Sequence, residues 1–219
     1  MTFIPTLDDS KPRPRLPRVL DPIELRILGC LMEKQLATPE YYPLTLNALV
    51  AASNQKSNRE PVMELGEDEL QRALDRLQDE KLVWKVMGGR AVRWEHNLDT
   101  NLQLDRPAKA ALTMLFLRGA QTPGELRGRS DRLYSFESIA EVEETLRRLD
   151  PLVAELSRRP GQKESRWAQV LGGAPPPSAA QPLEEVSHTE PLSARVQRLE
   201  EQVAELAAEL HAFKAKLGE

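Results

Sequence analysis

Six consecutive hydrogen-bonding residues, Asn54-Gln55-Lys56-Ser57-Asn58-Arg59, close an apolar helical pattern, "LTLNALVAAS". Amide, ammonium and guanidinium groups at this density suit two kinds of work. They can contact phosphate oxygens and base edges, which makes Lys56, Asn58 and Arg59 candidate nucleic-acid or partner contacts. They can equally clasp a long loop by bonding its own carbonyls, a task for Asn54, Gln55, Asn58 and Arg59. Under the clasp reading Asn54 caps a helix or turns left-handed, Lys56 is left to face a partner, and Val62, Met63 and Leu65 return the chain to the core. A second cationic group, Arg158, Arg159, Lys163 and Arg166, surrounds Pro160-Gly161 and could reach phosphates or a minor groove. A third, Lys11, Arg13, Arg15 and Arg18, lies among prolines, as in a groove-following arm or a polyproline-type ligand.

Nothing comparable points to catalysis. The chain has no Gly-rich phosphate loop, no G-x-S-x-G and no H-E-x-x-H. Carboxylates cluster in "GEDEL" and "EVEETL", at helix starts where the helix dipole favours them. Cys30 falls on an apolar helical stripe, the place of a small core residue. His96, His188 and His211 are too scattered for a metal. No enzyme activity, metal or cofactor is expected.

Composition narrows the setting. The 219 residues are 40% apolar and 29% charged, which suits two small cores in a water-soluble chain. No apolar run approaches the roughly 18 residues of a membrane span, and the first residues lack the order of a signal peptide. With a single cysteine, a reducing cytoplasm is the expected location. The net charge of −4 lies wholly in the tail, where four basic residues meet eight acidic ones from Ala174 onward. A neutral body permits a basic face without requiring one.

The elements that must position these groups occur twice. "DPIELRILGCLMEKQLATP" is a helix capped by Asp21 and Glu24, with Pro22 at its first position and Ile23, Ile27, Cys30 and Leu31 on one stripe. A second helix carries Leu46, Leu49 and Val50, and a third carries Leu70, Leu74 and Leu77. "LVWKVMGGRAVRWEH" is a hairpin about Gly-Gly. Ala108, Leu112, Leu115 and Phe116 repeat the first stripe 85 positions later, and Val142, Leu146 and Leu149 repeat the third 72 positions later. "TPGELRGRS" opens the intervening helix on a Thr122–Glu125 capping box. Arg166-Trp167 in the second hairpin echoes Arg93-Trp94. The shrinking offset places "NQKSNREPVMELG" in an insertion of the first copy. Three helices closed by a hairpin is the order of a winged helix. The fold class is mainly α with small β-hairpins (α+β): two tandem winged-helix domains followed by a C-terminal coiled-coil helix.

The expected boundaries are a basic Pro-rich arm over 1–19, winged helices over 20–98 and 99–172, a Pro/Ala-rich linker over 173–190 and a coiled-coil helix over 191–218. In the last, Leu192, Val196, Leu199, Val203, Leu206, Leu210, Phe213 and Leu217 alternate at spacings of four and three. Val at a with Leu at d favours two parallel strands, in which Arg195 meets Glu200 and Glu209 meets Lys214. A homodimer through this helix is the expectation, against a single amphipathic helix folded back on the body.

"TPEYYPLTLNAL", "NQKSNREPVM", "RGAQTPGELR" and "PGQKESRW" resemble the YceH-like family of uncharacterised bacterial proteins, from about Leu20 to Leu171 and into the heptad tail. The resemblance implies a tandem winged-helix fold and no established activity. Ser53 departs from it, since the family often has Cys before the "NQK" run, and the arm "SKPRPRLPR" is an addition.

The functional expectation is a non-enzymatic, dimeric, DNA-associated or regulatory protein. The alternative is a protein–protein interaction scaffold that uses winged helices without touching DNA. The third helices argue for the alternative. Arg72 and Arg76 sit among Glu67, Asp68, Glu69, Asp75 and Asp79, and the third helix of the second copy is acidic along its first three turns. DNA binding, if present, would be led by the basic hairpin and arm. No membrane partner is expected.

Overall fold

The computed structural model describes residue 16 and residues 18–88, 91–158 and 164–173. The arm up to Arg15, Arg159, Lys163, nearly all of the linker and the whole heptad seam lie outside the described residues. The described elements are α1 (Pro22–Ala37), a 3-10 turn (Pro39–Tyr41), β1 (Leu44–Thr45), α2 (Leu46–Ser53), α3 (Glu67–Asp79), β2 (Val83–Gly88), β3 (Ala91–His96), α4 (Leu98–Leu102), α5 (Arg106–Arg118), α6 (Pro123–Ser130), α7 (Ile139–Arg148), β4 (Val153–Leu156) and β5 (Arg166–Gln169). The described residues form a mixed α+β structure of seven α-helices and two small antiparallel sheets. Among the described residues, no helix is long and apolar enough to cross a membrane.

The local signals act where the sequence places them. Asp21 accepts from the backbone N–H groups of Ile23 and Glu24 while Glu24 accepts from that of Asp21, a closed capping box. Thr122 and Glu125 do the same for α6. The two helices that carry the repeated stripe are buried nearly all round, over Glu24–Met32 in α1 and Ala108–Leu117 in α5. A stripe is expected when a helix buries one face. Here α1 has α2 and α3 on one side and α5 on the other. Their approach is close. A Cβ on Gly29 would lie 2.8 Å from Leu117 Cδ2 and 3.0 Å from Phe116 Cβ.

One hydrophobic core therefore runs through both repeats, from Leu28 and Leu74 to Leu112 and Leu146. All described residues belong to one compact unit, which ends at Pro175. The boundary between 98 and 99 falls within α4, where Leu98 and Leu102 are fully buried. The ranges 20–98 and 99–172 mark copies of a pattern that share one core.

The sheets follow a common plan. The first has the order β1-β3-β2, with Leu44 opposite Trp94 and Trp84 opposite Glu95. The second pairs β4 with β5, and Gln121 bridges Trp167 where Leu44 faces Trp94 in the first. The recurring Arg-Trp dipeptide has a structural account. Arg93 donates to Pro43 O and Arg166 to Ala120 O, both at 2.8 Å, and each ties the last strand to the segment before the second helix. The short strand β1 and helix α4 carry too few residues for a periodicity to show in sequence.

Candidate functional site

The polar stretch after α2 folds over the middle of α1. Asn54 ends α2 with φ −92°, and its side chain both accepts from Leu65 N at 2.8 Å and donates to Leu65 O at 2.9 Å, closing the loop at its base. The left-handed residue is Asn58, with φ 58°. Arg59 is buried, with its side chain wholly inside. Its Nε donates to Ala52 O at 3.0 Å, and its fork meets both oxygens of Glu33, at 3.1 and 2.7 Å. Burial alone would raise the Glu33 carboxyl, but the Arg59 hydrogen bonds and the charges of Arg59 and Lys34 hold it below its ordinary value.

Two residues of α1 that sequence reasoning missed complete the arrangement. Glu33 is one. Arg26, 1% exposed, is the other, donating to Ser53 O at 3.0 Å and to Pro61 O. Burial and the charge of Arg59 push its guanidinium below its ordinary value. An arginine inside the apolar run Leu25–Met32 was the available signal, with Cys30 and Glu33 one and two turns on. Cys30 is fully buried against Ser53 Oγ at 3.8 Å, and burial pushes its thiol up.

The loop also reaches the second repeat. Glu60 N donates to Leu117 O at 2.8 Å, and Arg118 donates to Asn58 Oδ1 at 2.6 Å. Gln55 is half-buried, while Lys56 and Asn58 are exposed. Val62 departs from expectation. It is 54% exposed and only Leu65 of the returning residues packs on the core, with Met63 half-buried, because Arg26 holds the chain at Pro61 by its carbonyl.

The other cationic candidates divide. Arg158 is exposed. Arg166 is turned inward, bonded to Ala120 O and paired with Glu125 at 3.0 Å. On α3, Arg76 pairs with Asp21 and Glu24, at 2.5 and 2.8 Å. Arg18, at the root of the arm, pairs with Glu24 at 2.7 Å and with Glu80. Burial would raise Glu24, yet the bonds from Arg18, Asp21 N and Arg76 bring it down to about 2. Among the described residues, no cluster of three His, Cys, Asp or Glu side chains could hold a metal.

A family model described as "Protein of unknown function, DUF480" matches residues 20–162, most of the described body. The chain belongs to the DUF480 family of bacterial proteins. Its similarity to individual members runs beyond the body. A UPF0502 protein of Koribacter versatilis is 48% identical over 195 residues, 86% of this chain and 90% of the relative. One from Geobacter metallireducens is 48% identical over 199 residues, 84% and 89% of the two chains. One from Chromobacterium violaceum is 45% identical over 204 residues, 90% and 92%. The DUF480 match thus includes the polar loop, its two anchors on α1 and the first part of the second hairpin, up to residue 162.

Proposed function

We propose that this DUF480 protein is a non-enzymatic tandem winged-helix module of the cytoplasm that works by binding another protein. The observation that carries the reading is the state of its cations. Arg59, Arg76 and Arg166, which a DNA-reading surface would use, are engaged by Glu33, by Asp21 and Glu24, and by Glu125. The first hairpin meanwhile exposes Met87 and Val92 side by side on one face and Trp84 on the other, apolar positions where a groove reader carries polar ones. The strand order β1-β3-β2 beside three helices supports the winged-helix assignment. In this reading the polar loop is a clasp, Arg59 its pin and Lys56 its one outward cation.

A second reading, DNA association, is favoured by the exposed Arg158, two residues beyond the turn-side end of β4. Duplex fragments titrated at two salt concentrations separate the two. Sequence-independent binding whose log K falls by about 0.9 per neutralised phosphate for each decade of salt, and which Arg158→Glu weakens, would displace the protein-binding reading. No measurable binding at physiological salt supports it. The heptad seam makes the module a parallel dimer in either case. Sedimentation of the full chain and of a chain ending at Gly172 tests that part, which fails if the full chain is a monomer or if both chains give the same number of subunits.

A further inference from the structure

The first hairpin runs back along α3. The turn from α3 closes through Leu82 N and Leu77 O, and Lys85 on β2 reaches Asp75 at 3.5 Å. Gln71, one turn nearer the helix start, donates to Asp75 at 2.8 Å. A strand rises about 3.3 Å per residue and a helix about 1.5 Å. Met87, two residues beyond Lys85, is therefore level with the N-terminal half of α3. Met87 faces Val92 across the hairpin, and the pair is 77% and 42% exposed. Beside it that half of α3 presents Glu67 and Asp68 to solvent, with Arg72 its one cation.

Apolar area in the open next to carboxylates selects its occupant. A flexible thioether and a valine methyl pair gain from burial against aliphatic side chains. The carboxylates repel phosphate, which disfavours nucleic acid and anionic lipid, and attract Lys or Arg. We propose that the face between α3 and the Met87–Val92 pair of the first hairpin docks a cationic, partly apolar segment of a partner protein. The inference rests on the protein-binding reading and gives that partner a chemistry.

The test uses the full chain with two fluorescein-labelled amphipathic peptides, one of Lys and Leu, the other of Glu and Leu. The Lys/Leu peptide binds and the Glu/Leu peptide does not, and affinity falls as salt rises. Since the acidic tail also attracts lysine, the deciding measurements are on variants whose folding is checked by circular dichroism. Met87→Ser with Val92→Ser lowers affinity at least tenfold, and Glu67→Lys with Asp68→Lys does the same. If only the apolar pair matters, the cationic chemistry is overturned while the protein-binding reading stands. If neither pair matters, this face is overturned and the reading keeps its own test. A DNA duplex whose binding depends on Met87 and Val92 would overturn both together.

Discussion

At the scale of single residues, burial sorts the polar stretch into groups that hold the fold and groups that face outward. Arg59→Ala would leave Glu33, its side chain 13% exposed, without its bidentate partner and Ala52 O without a donor. Stripping one partner from a buried pair costs about 3–5 kcal/mol, so chemical denaturation should show a large loss for Arg59→Ala and none for Lys56→Ala. His96 supplies a pH dependence. Its Nδ1 accepts from Leu98 N at 3.2 Å, so the proton sits on Nε2 and is donated to Gln35 Oε1 at 2.8 Å. Protonation would set a second N–H against that of Leu98. Burial first, then Lys109 against the opposing pull of Asp99, brings the imidazole down to about 4 from 6.5. The unfolded chain therefore takes up the proton first as pH falls, and stability is lost between pH 6.5 and 4, by roughly 3 kcal/mol at most. Glu24 adds its own loss only between its ordinary value of 4.5 and about 2. Urea midpoints measured from pH 7 to 4.5 should fall in the wild type and stay nearly flat in His96→Gln.

At the scale of elements, the crossing of α1 over α5 decides more than either helix's propensity. Gly29 in a helix interior costs about 1 kcal/mol relative to alanine, and an isolated helix would gain by Gly29→Ala. In the protein the new methyl would meet Leu117 and the backbone-anchored Cβ of Phe116. Overpacking of this kind costs about 1–3 kcal/mol, enough to reverse the sign. Thermal unfolding of Gly29→Ala should show a lower midpoint. A higher one would mean that the two helices can slide apart at little cost.

At the scale of the whole molecule, the shared core predicts how the body unfolds. Two winged helices joined by a linker would melt separately. Here Leu117 and Phe116 pack on α1, Glu60 bonds Leu117 and Leu20 N bonds Leu171 O, so neither repeat keeps its buried surface without the other. A variant whose only tryptophan is Trp94 and one whose only tryptophan is Trp167 should each report the unfolding of its own repeat. After each curve is referred to that variant's far-ultraviolet circular dichroism, the two signals should coincide with it. A tryptophan transition that precedes the loss of helix in either variant would show that the repeats are energetically independent.

The sequence by itself determined the longer elements and their duplication, but not β1 or α4. Caps at Asp21 and Thr122, the stripes of Leu70–Leu77 and Val142–Leu149 and the two Arg-Trp hairpins are local signals, set by backbone hydrogen bonding and by the period of each element. It also confined the polar stretch to an insertion with two uses. Only the tertiary structure decided what the charges do. Arg26, Glu33, Arg76 and Arg166 find partners 26 to 55 positions away, and a periodic pattern carries no information about such pairings. The same holds for the second face of α1. A stripe records that one side is buried, and α5 covers the other only because Gly29 lets two backbones come close.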